Sequence, residues 1–393
     1  MQGMTWQKNV FFFLCFFSIA QYGFAVNWNT GKAGPVQVDK PMPIKGLTGV
    51  GINSMALWSG ASEVRTAEKL VLHLSPLETY GFSHVVLIVC ADWIIEGYCR
   101  KGFKGLTKER IVAFTKAVVE KTNLHVVLSL KAYDQKKISG KNTSKLQTSL
   151  EEEEATQQAF AEAWTFLAES FKHIERERLS FNLLNEPEFE LPAPSSSKRD
   201  KWLMIASNAV EAIRAISPDR VIILEGIGKS LFANRKKTRY RHSSVNNLVK
   251  PIPYEDIVYG FHNYEPDKFL QQAKYRSGVV GNPHTEAVTK AVIKDAARLT
   301  KWANENKVSV ILSETGCIGY VDGKTEGPRN REDCGLFARD VYDSYVTNGV
   351  PVTWWALEKE KTIYERDRPT DKVWMPAQRV PDKYIFRGFR LNF

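Results

Sequence analysis

Short runs that are apolar at every position alternate along this chain with longer stretches in which apolar residues recur every three or four. The runs fall at 47–53, 84–89, 125–130, 179–184, 221–224, 257–262, 308–313 and 351–355. A strand with one wet face alternates apolar and polar residues, whereas a run apolar on both faces fits a parallel strand covered by helices. The stretches between have helical spacing. Phe160, Trp164, Leu167, Phe171 and Ile174 share one face, as do Trp202, Ala206, Ala209, Ile213 and Ile216 in a helix that stops before Ser217-Pro218. Leu336, Val341, Tyr342 and Tyr345 mark another, ended by Asn348-Gly349. Eight strand–helix units in roughly 310 residues predict a single (β/α)8 TIM barrel. No linker, repeat or second composition regime interrupts it. Two variable stretches, 133–154 and 226–255, each follow a strand, which places both on the C-terminal rim where such barrels build function. The sequon Asn142-Thr143-Ser144 falls in the first.

The N-terminus follows another pattern. Lys8 precedes an apolar run over 10–20, and Gly23-Phe24-Ala25 offers small residues for cleavage. This predicts a secretory signal peptide over 1–25, with the barrel over 26–393 and a secreted or periplasmic location. The run is too short for a comfortable membrane span, and no later segment approaches the ~20 apolar residues one requires, so no stable membrane anchor is expected. Removing the signal leaves Cys90, Cys99, Cys317 and Cys334, for which three pairings are open, with free buried thiols as an equal alternative. None belongs to a close cysteine or histidine cluster, so no metal site is expected. The formal charge is +10, part of it in "KSLFANRKKTRYRH" at 229–242. No nucleic-acid motif accompanies that stretch and export argues against nucleic acid; it reads as a solvated basic loop, with attraction to an anionic glycan or cell envelope as its functional alternative.

A barrel of this kind carries catalytic side chains at strand C-termini. The run at 179–184 ends on Asn185-Glu186. "VYGFHNYEP" sets His262 and Tyr264 two apart, on one face of an extended chain. "VSVILSETG" ends on Glu314, and "PVTWW" on Trp355. Two carboxylates on separate strand ends of one closed barrel can face each other across its mouth, as glycoside hydrolysis requires. Glu186 is then the acid, holding its proton through partial burial and a neighbouring carboxylate. Glu314 is the ionised nucleophile and Tyr264 a donor to it. Asn185 offers its amide to a sugar hydroxyl, His262 orients the carboxylates, and Trp355 offers a flat face to a pyranose ring. In a retaining site the two carboxyls lie roughly 5–5.5 Å apart.

"LLNEPEFE", "GFHNYEP", "ILSETGC" and "VTWWALE", in this order, resemble glycoside hydrolase family 5, the cellulase-like family. The resemblance runs from "GVGINSMALWSG" to the C-terminus. It implies a retaining mechanism with Glu186 as acid/base and Glu314 as nucleophile, and Asn185, His262, Tyr264 and Trp355 lining the cleavage subsite. It also implies a β-1,4-linked glucan or mannan as substrate and no cofactor. Three positions depart from the family pattern: Val86 where an arginine is usual, Lys131 where a histidine is usual, and "SETG" around Glu314. The expected protein is thus an exported monomeric β-glycosidase acting on a β-linked polysaccharide or oligosaccharide, most simply an endo-acting glucanase or mannanase. The alternatives are a carbohydrate-binding protein on an impaired hydrolase scaffold and a basic envelope-adhesion protein.

Overall fold

In the computed structural model the chain is described over residues 34–37, 42–44, 48–53, 66–95, 108–132, 135–138, 141–187, 196–227, 250–270, 283–317, 331–357, 363–364 and 380–392. The signal-like N-terminus and the basic stretch 229–242 lie outside these residues.

The described strands, in chain order, are β1 (Thr48–Asn53), β2 (His84–Cys90), β3 (His125–Lys131), β4 (Gln135–Ile138), β5 (Lys141–Ser144), β6 (Leu179–Asn182), β7 (Ile222–Glu225), β8 (Ile257–Asn263), β9 (Ser309–Thr315) and β10 (Val352–Trp355). All but β4 and β5 form one closed barrel, ordered β1-β2-β3-β6-β7-β8-β9-β10 and back to β1. Every neighbouring pair in it is parallel. The eight predicted runs are these eight strands, with ends displaced by no more than two residues. The predicted loop at 133–154 is more structured than its composition suggested. It holds the antiparallel hairpin β4–β5, which carries the sequon residues Asn142 to Ser144.

The helices are α1 (Ala67–Tyr80), α2 (Ala91–Ile95), α3 (Lys108–Lys121), α4 (Lys145–Glu152), α5 (Glu154–Phe171), α6 (Ser196–Arg214), α7 (Asp267–Leu270), α8 (Glu286–Asn306), α9 (Arg331–Ser344) and α10 (Lys383–Gly388). Among the described residues none is long and apolar enough to cross a membrane. On α5, Phe160, Trp164, Leu167 and Phe171 are buried as their spacing predicts, each such side chain being worth ~1.5–3 kcal/mol of burial. The face of α9 differs from the prediction. Phe337 rather than Leu336 is buried, because the stripe starts at Cys334 and continues through Ala338 and Val341 to Tyr345.

Side chains alternate across each strand, giving two separate cores. Val85, Leu87 and Val89 of β2 face the helices, while Val86 and Ile88 face the barrel axis. Inside, the latter meet Val127, Ile223, Val258 and Ile311 in a small apolar plug. Arg220 joins the helical layer to the barrel. It is 2% exposed and donates to the carbonyls of Phe171, Ile174, Glu175 and Leu179, satisfying acceptors that the end of α5 leaves open.

Below the plug, polar groups close the N-terminal mouth without charge. His84 has Ser83 Oγ at 2.9 Å and Thr353 Oγ1 at 3.1 Å on its two ring nitrogens. His125 lies between the Glu177 carbonyl and Ser180 Oγ. Burial dominates both imidazoles, pushing His84 down to about 3 and His125 down to about 4. An unfolded histidine binds its proton near pH 6.5. The unfolded chain therefore holds more protons below that pH, and stability falls as pH drops. Each histidine contributes a slope of up to about 1.4 kcal/mol per pH unit between 6.5 and its folded value. Urea midpoints measured at pH 7 and pH 5 should fall accordingly, and His125→Gln should show a shallower loss; equal slopes in the two proteins would refute this assignment.

Candidate active site

At the opposite end of the barrel the inner layer changes from apolar to charged. Ile223 of β7 belongs to the plug, and two residues on, Glu225 points into the same interior, completely buried. On β8 the same alternation runs Val258, Gly260, His262. The register pairs Glu225 with Gly260 and His262 with Glu314. A register shift between Phe261 and His262 lets two successive residues of β9 serve the interior. Ser313 Oγ donates to Glu225 Oε1 at 3.0 Å, and Glu314 turns toward His262.

Of the sequence-predicted residues, Glu186, His262, Tyr264 and Glu314 gather here. Glu186 follows β6 with a left-handed backbone, φ 51°, a conformation that costs a non-glycine residue strain and needs support. Its N–H donates to Glu225 Oε2 at 2.9 Å. Glu186 Oε1 lies 3.1 Å from His262 Nδ1, and Glu314 Oε2 lies 3.6 Å from the same nitrogen. Tyr264 donates its hydroxyl proton to Glu314 Oε1 at 2.5 Å. One side-chain atom each from Glu186, His262 and Glu314 can be chosen so that all three lie within 4.8 Å of one another. That spacing would also admit a cation, but both nitrogens of His262 already face carboxylates, so an ion would have to displace its proton. Asn185 is 2% exposed, and its Nδ2 has no hydrogen-bond partner among the described residues. Trp355 lies at the end of β10, half-buried, with a cis peptide bond to Ala356. Its ring lies over Gly51, where an added Cβ would sit 2.6 Å from the indole.

Two features of the site differ from what the sequence suggested, and a third, at Val86, agrees with it. Lys131, which occupies the end of β3, donates to Glu186 Oε2 at 2.6 Å. Glu186 thus has Lys131 and His262 beside it in addition to the expected neighbouring carboxylate, Glu314, and the bonds from Lys131 and His262 favour its carboxylate form. Val86 is part of the apolar plug and brings no charge to Glu314. Glu225 is the residue that the strand pattern missed. The run was read as ending at Leu224, one position short; continuing the alternation of Val221 and Ile223 would have placed Glu225 inside.

Electrostatics follow from these contacts. Burial favours neutral imidazole at His262, but the charges of Glu225 and Glu314 and hydrogen bonds to Glu186 and Glu225 outweigh it and hold its pKa well above the ordinary value. Burial likewise pushes Glu225 up, and this is overcome by the His262 charge and by hydrogen bonds from His262, the Glu186 N–H and Asn182, leaving its pKa lowered. Three residues beyond Glu314, Cys317 is disulfide-bonded to Cys334 on α9, which settles one of the open pairings.

A family model for cellulase (glycosyl hydrolase family 5) matches residues 58–361. The chain belongs to glycosyl hydrolase family 5. The family 5 match agrees with relatives found separately. Endoglucanase 3 of Fibrobacter succinogenes (strain ATCC 19169 / S85) is 25% identical over 245 residues, which cover 53% of this chain and 34% of that protein. The chain thus matches about a third of that relative's length. Among solved structures, Thermotoga maritima Cel5A in complex with mannotriose is 18% identical with a TM-score of 0.63, covering 88% of this chain and 98% of that one. The same enzyme in complex with cellobiose gives 17% and 0.63 over the same shares. At these identities the structures speak for the fold.

In this family 5 site the Tyr264 hydroxyl is a donor to a carboxylate, a bond worth ~1.5–3 kcal/mol. Tyr264→Phe should lower kcat by about 10- to 100-fold, a larger loss than the fall of a few degrees in melting temperature that the missing bond brings. Wild-type turnover in that variant would remove Tyr264 from the site's chemistry.

Proposed function

We propose that this family 5 chain is an exported, retaining endo-β-1,4-glucanase, with β-1,4-mannan as the neighbouring substrate to test. The observation that carries the reading is that one carboxylate oxygen of Glu186 and one of Glu314 come within 4.8 Å of each other across the barrel mouth, both facing His262 Nδ1. Inverting sites hold their carboxyls roughly 6.5–9.5 Å apart to admit a water, and retaining sites about 5–5.5 Å. The short spacing supports double displacement. Export rests on the Lys8-to-Ala25 pattern.

In the first step a Glu314 oxygen attacks the anomeric carbon. The glycosidic C–O bond breaks, and the leaving oxygen takes the proton of the Glu186 carboxyl. A glycosyl ester on Glu314 results. In the second step Glu186, now a carboxylate, takes a proton from water as that water attacks the anomeric carbon and releases Glu314. Tyr264 and His262 hold the nucleophile by its two oxygens. The Asn185 Nδ2, without a partner among the described residues, suits a sugar hydroxyl, and the half-buried Trp355 ring suits the apolar face of a pyranose. Endo action on glucan is favoured by the likeness to Endoglucanase 3, and mannan enters through the mannotriose bound by Cel5A.

The deciding experiment is hydrolysis of β-glucans, mannans, xylans and short aryl glycosides by purified protein, beside Glu186→Gln and Glu314→Gln. Activity on glucan that both variants lose by about 1,000-fold or more, with initial products of retained configuration by proton NMR, is expected. Inverted products would overturn the mechanism. Silence across the panel together with glycan binding would replace the enzyme by a carbohydrate-binding protein.

Lys131 adds a second check. Its ammonium favours the Glu186 carboxylate, so removing it should let the acid form persist to higher pH. The alkaline limb of the kcat/KM profile of Lys131→Met should therefore move upward; a limb that stays in place would separate Lys131 from the acid step.

A further inference from the structure

Glu225 has no assigned part in the two-carboxylate chemistry, yet it is the most fully enclosed charge in the site. A carboxylate at 0% exposure is expensive unless donors converge on it. Four do. Asn182 Nδ2 donates to Oε1 at 2.8 Å, Ser313 Oγ to Oε1 at 3.0 Å and the Glu186 N–H to Oε2 at 2.9 Å. His262 Nε2 lies 3.2 Å from Oε2 and 3.3 Å from Oε1. The space for it is also specific. Its register partner on β8 is Gly260, where a Cβ would lie 2.9 Å from Glu225 Cγ. One layer below, the same strand supplies Ile223 to an apolar plug, so the charge of Glu225 begins where the apolar filling of the barrel ends.

We propose that Glu225 is a positioning residue that locks His262 as a doubly protonated imidazolium between the two catalytic glutamates and anchors the strained backbone of Glu186. The geometry makes the first part. Carboxylate oxygens only accept, and His262 turns Nε2 to Glu225 while Nδ1 faces Glu186 at 3.1 Å and Glu314 at 3.6 Å. Nε2 therefore carries hydrogen toward Glu225, and Nδ1 carries one toward the nucleophile Glu314 and toward Glu186 whenever Glu186 is a carboxylate. Among the described residues the charged groups facing His262 include Glu186 beyond β6, Glu225 on β7 and Glu314 on β9, with Lys131 of β3 reaching Glu186 from its other side. The raised pKa of His262 and lowered pKa of Glu225 agree with this arrangement. The consequence is electrostatic. Two carboxylates this close resist ionising together, and a fixed cation between them lets Glu314 remain charged while Glu186 gains and loses its proton. The second part follows from the 2.9 Å bond to the Glu186 N–H, which holds φ at 51° where the chain would otherwise relax.

This inference rests on the glycosidase reading for its kinetic test, and on His262 alone for its spectroscopic one. Glu225→Gln keeps the shape and removes the charge. In the wild type, nitrogen NMR of the histidine side chains, with His262 assigned by its loss in His262→Gln, should show both ring nitrogens protonated from pH 5 to pH 8. In Glu225→Gln the same resonance should titrate within that window. Its kcat should fall about 100-fold with KM changed less than about threefold, and a new limb should enter the pH–rate profile. Losses in Glu225→Gln and His262→Gln should not add in the double variant. A neutral His262 in the wild type at pH 7 overturns the proposal even if Glu225→Gln does not fold. So does a folded Glu225→Gln whose His262 stays protonated, or whose activity loss merely tracks its unfolded fraction. If the wild type hydrolyses nothing, the glycosidase reading fails while the NMR comparison still decides the role of Glu225.

Discussion

A carboxylate sealed from water must find its hydrogen bonds within the protein, and the upper half of this barrel is arranged around that requirement at Glu225. Its partners come from β6, β8, β9 and the backbone just after β6. No local stretch of sequence can assemble that set; closure of the parallel barrel does. The apolar plug beneath excludes water from below, which strengthens every charged contact above it. The positions of Glu186, His262 and Glu314 are therefore properties of the closed barrel as much as of their own strands.

Histidine shows how thoroughly neighbours decide chemistry in this fold. His84, His125 and His262 are all buried in strands of one barrel. At the lower mouth the partners are hydroxyls and a carbonyl, which suit a neutral ring with one donor and one acceptor. At the upper mouth the partners are carboxylates, which suit the cation. Three identical side chains a few strands apart thus carry opposite charge states, and what separates them is which residues the register places beside them.

The strands were legible because each is apolar on both faces, the mark of a sheet covered inside and out, and because turn residues bound the helices between them. Asn185, Glu186, His262, Tyr264, Glu314 and Trp355 were legible because each stands where an apolar run meets polar sequence. Glu225 has the same signature but was cut off with the strand end, and nothing in its own run announces the donors waiting on three neighbours. Lys131 was visible as a departure from the family pattern, yet only the β3–β6 pairing shows that its ammonium meets Glu186. The hairpin β4–β5 escaped because its residues are polar and lack the alternation that betrays a buried strand. Leu336 was read as core but is half-buried at the edge of the α9 stripe, which runs through Cys334, Phe337, Ala338 and Val341.

That bond has a bearing on where the protein can be made. The barrel owes none of its strand pairings to Cys317–Cys334, so a chain folded in a reducing cytosol can still close its sheet. It would lose the tether that pins the segment leaving β9 to the start of α9, together with the disulfide that Cys90 forms. The nucleophile stands three residues from that tether. Material from a reducing expression host and material from an oxidising one would then be the same fold with differently held rims, and the comparison of their specific activities would report how much of the site's order comes from outside the barrel.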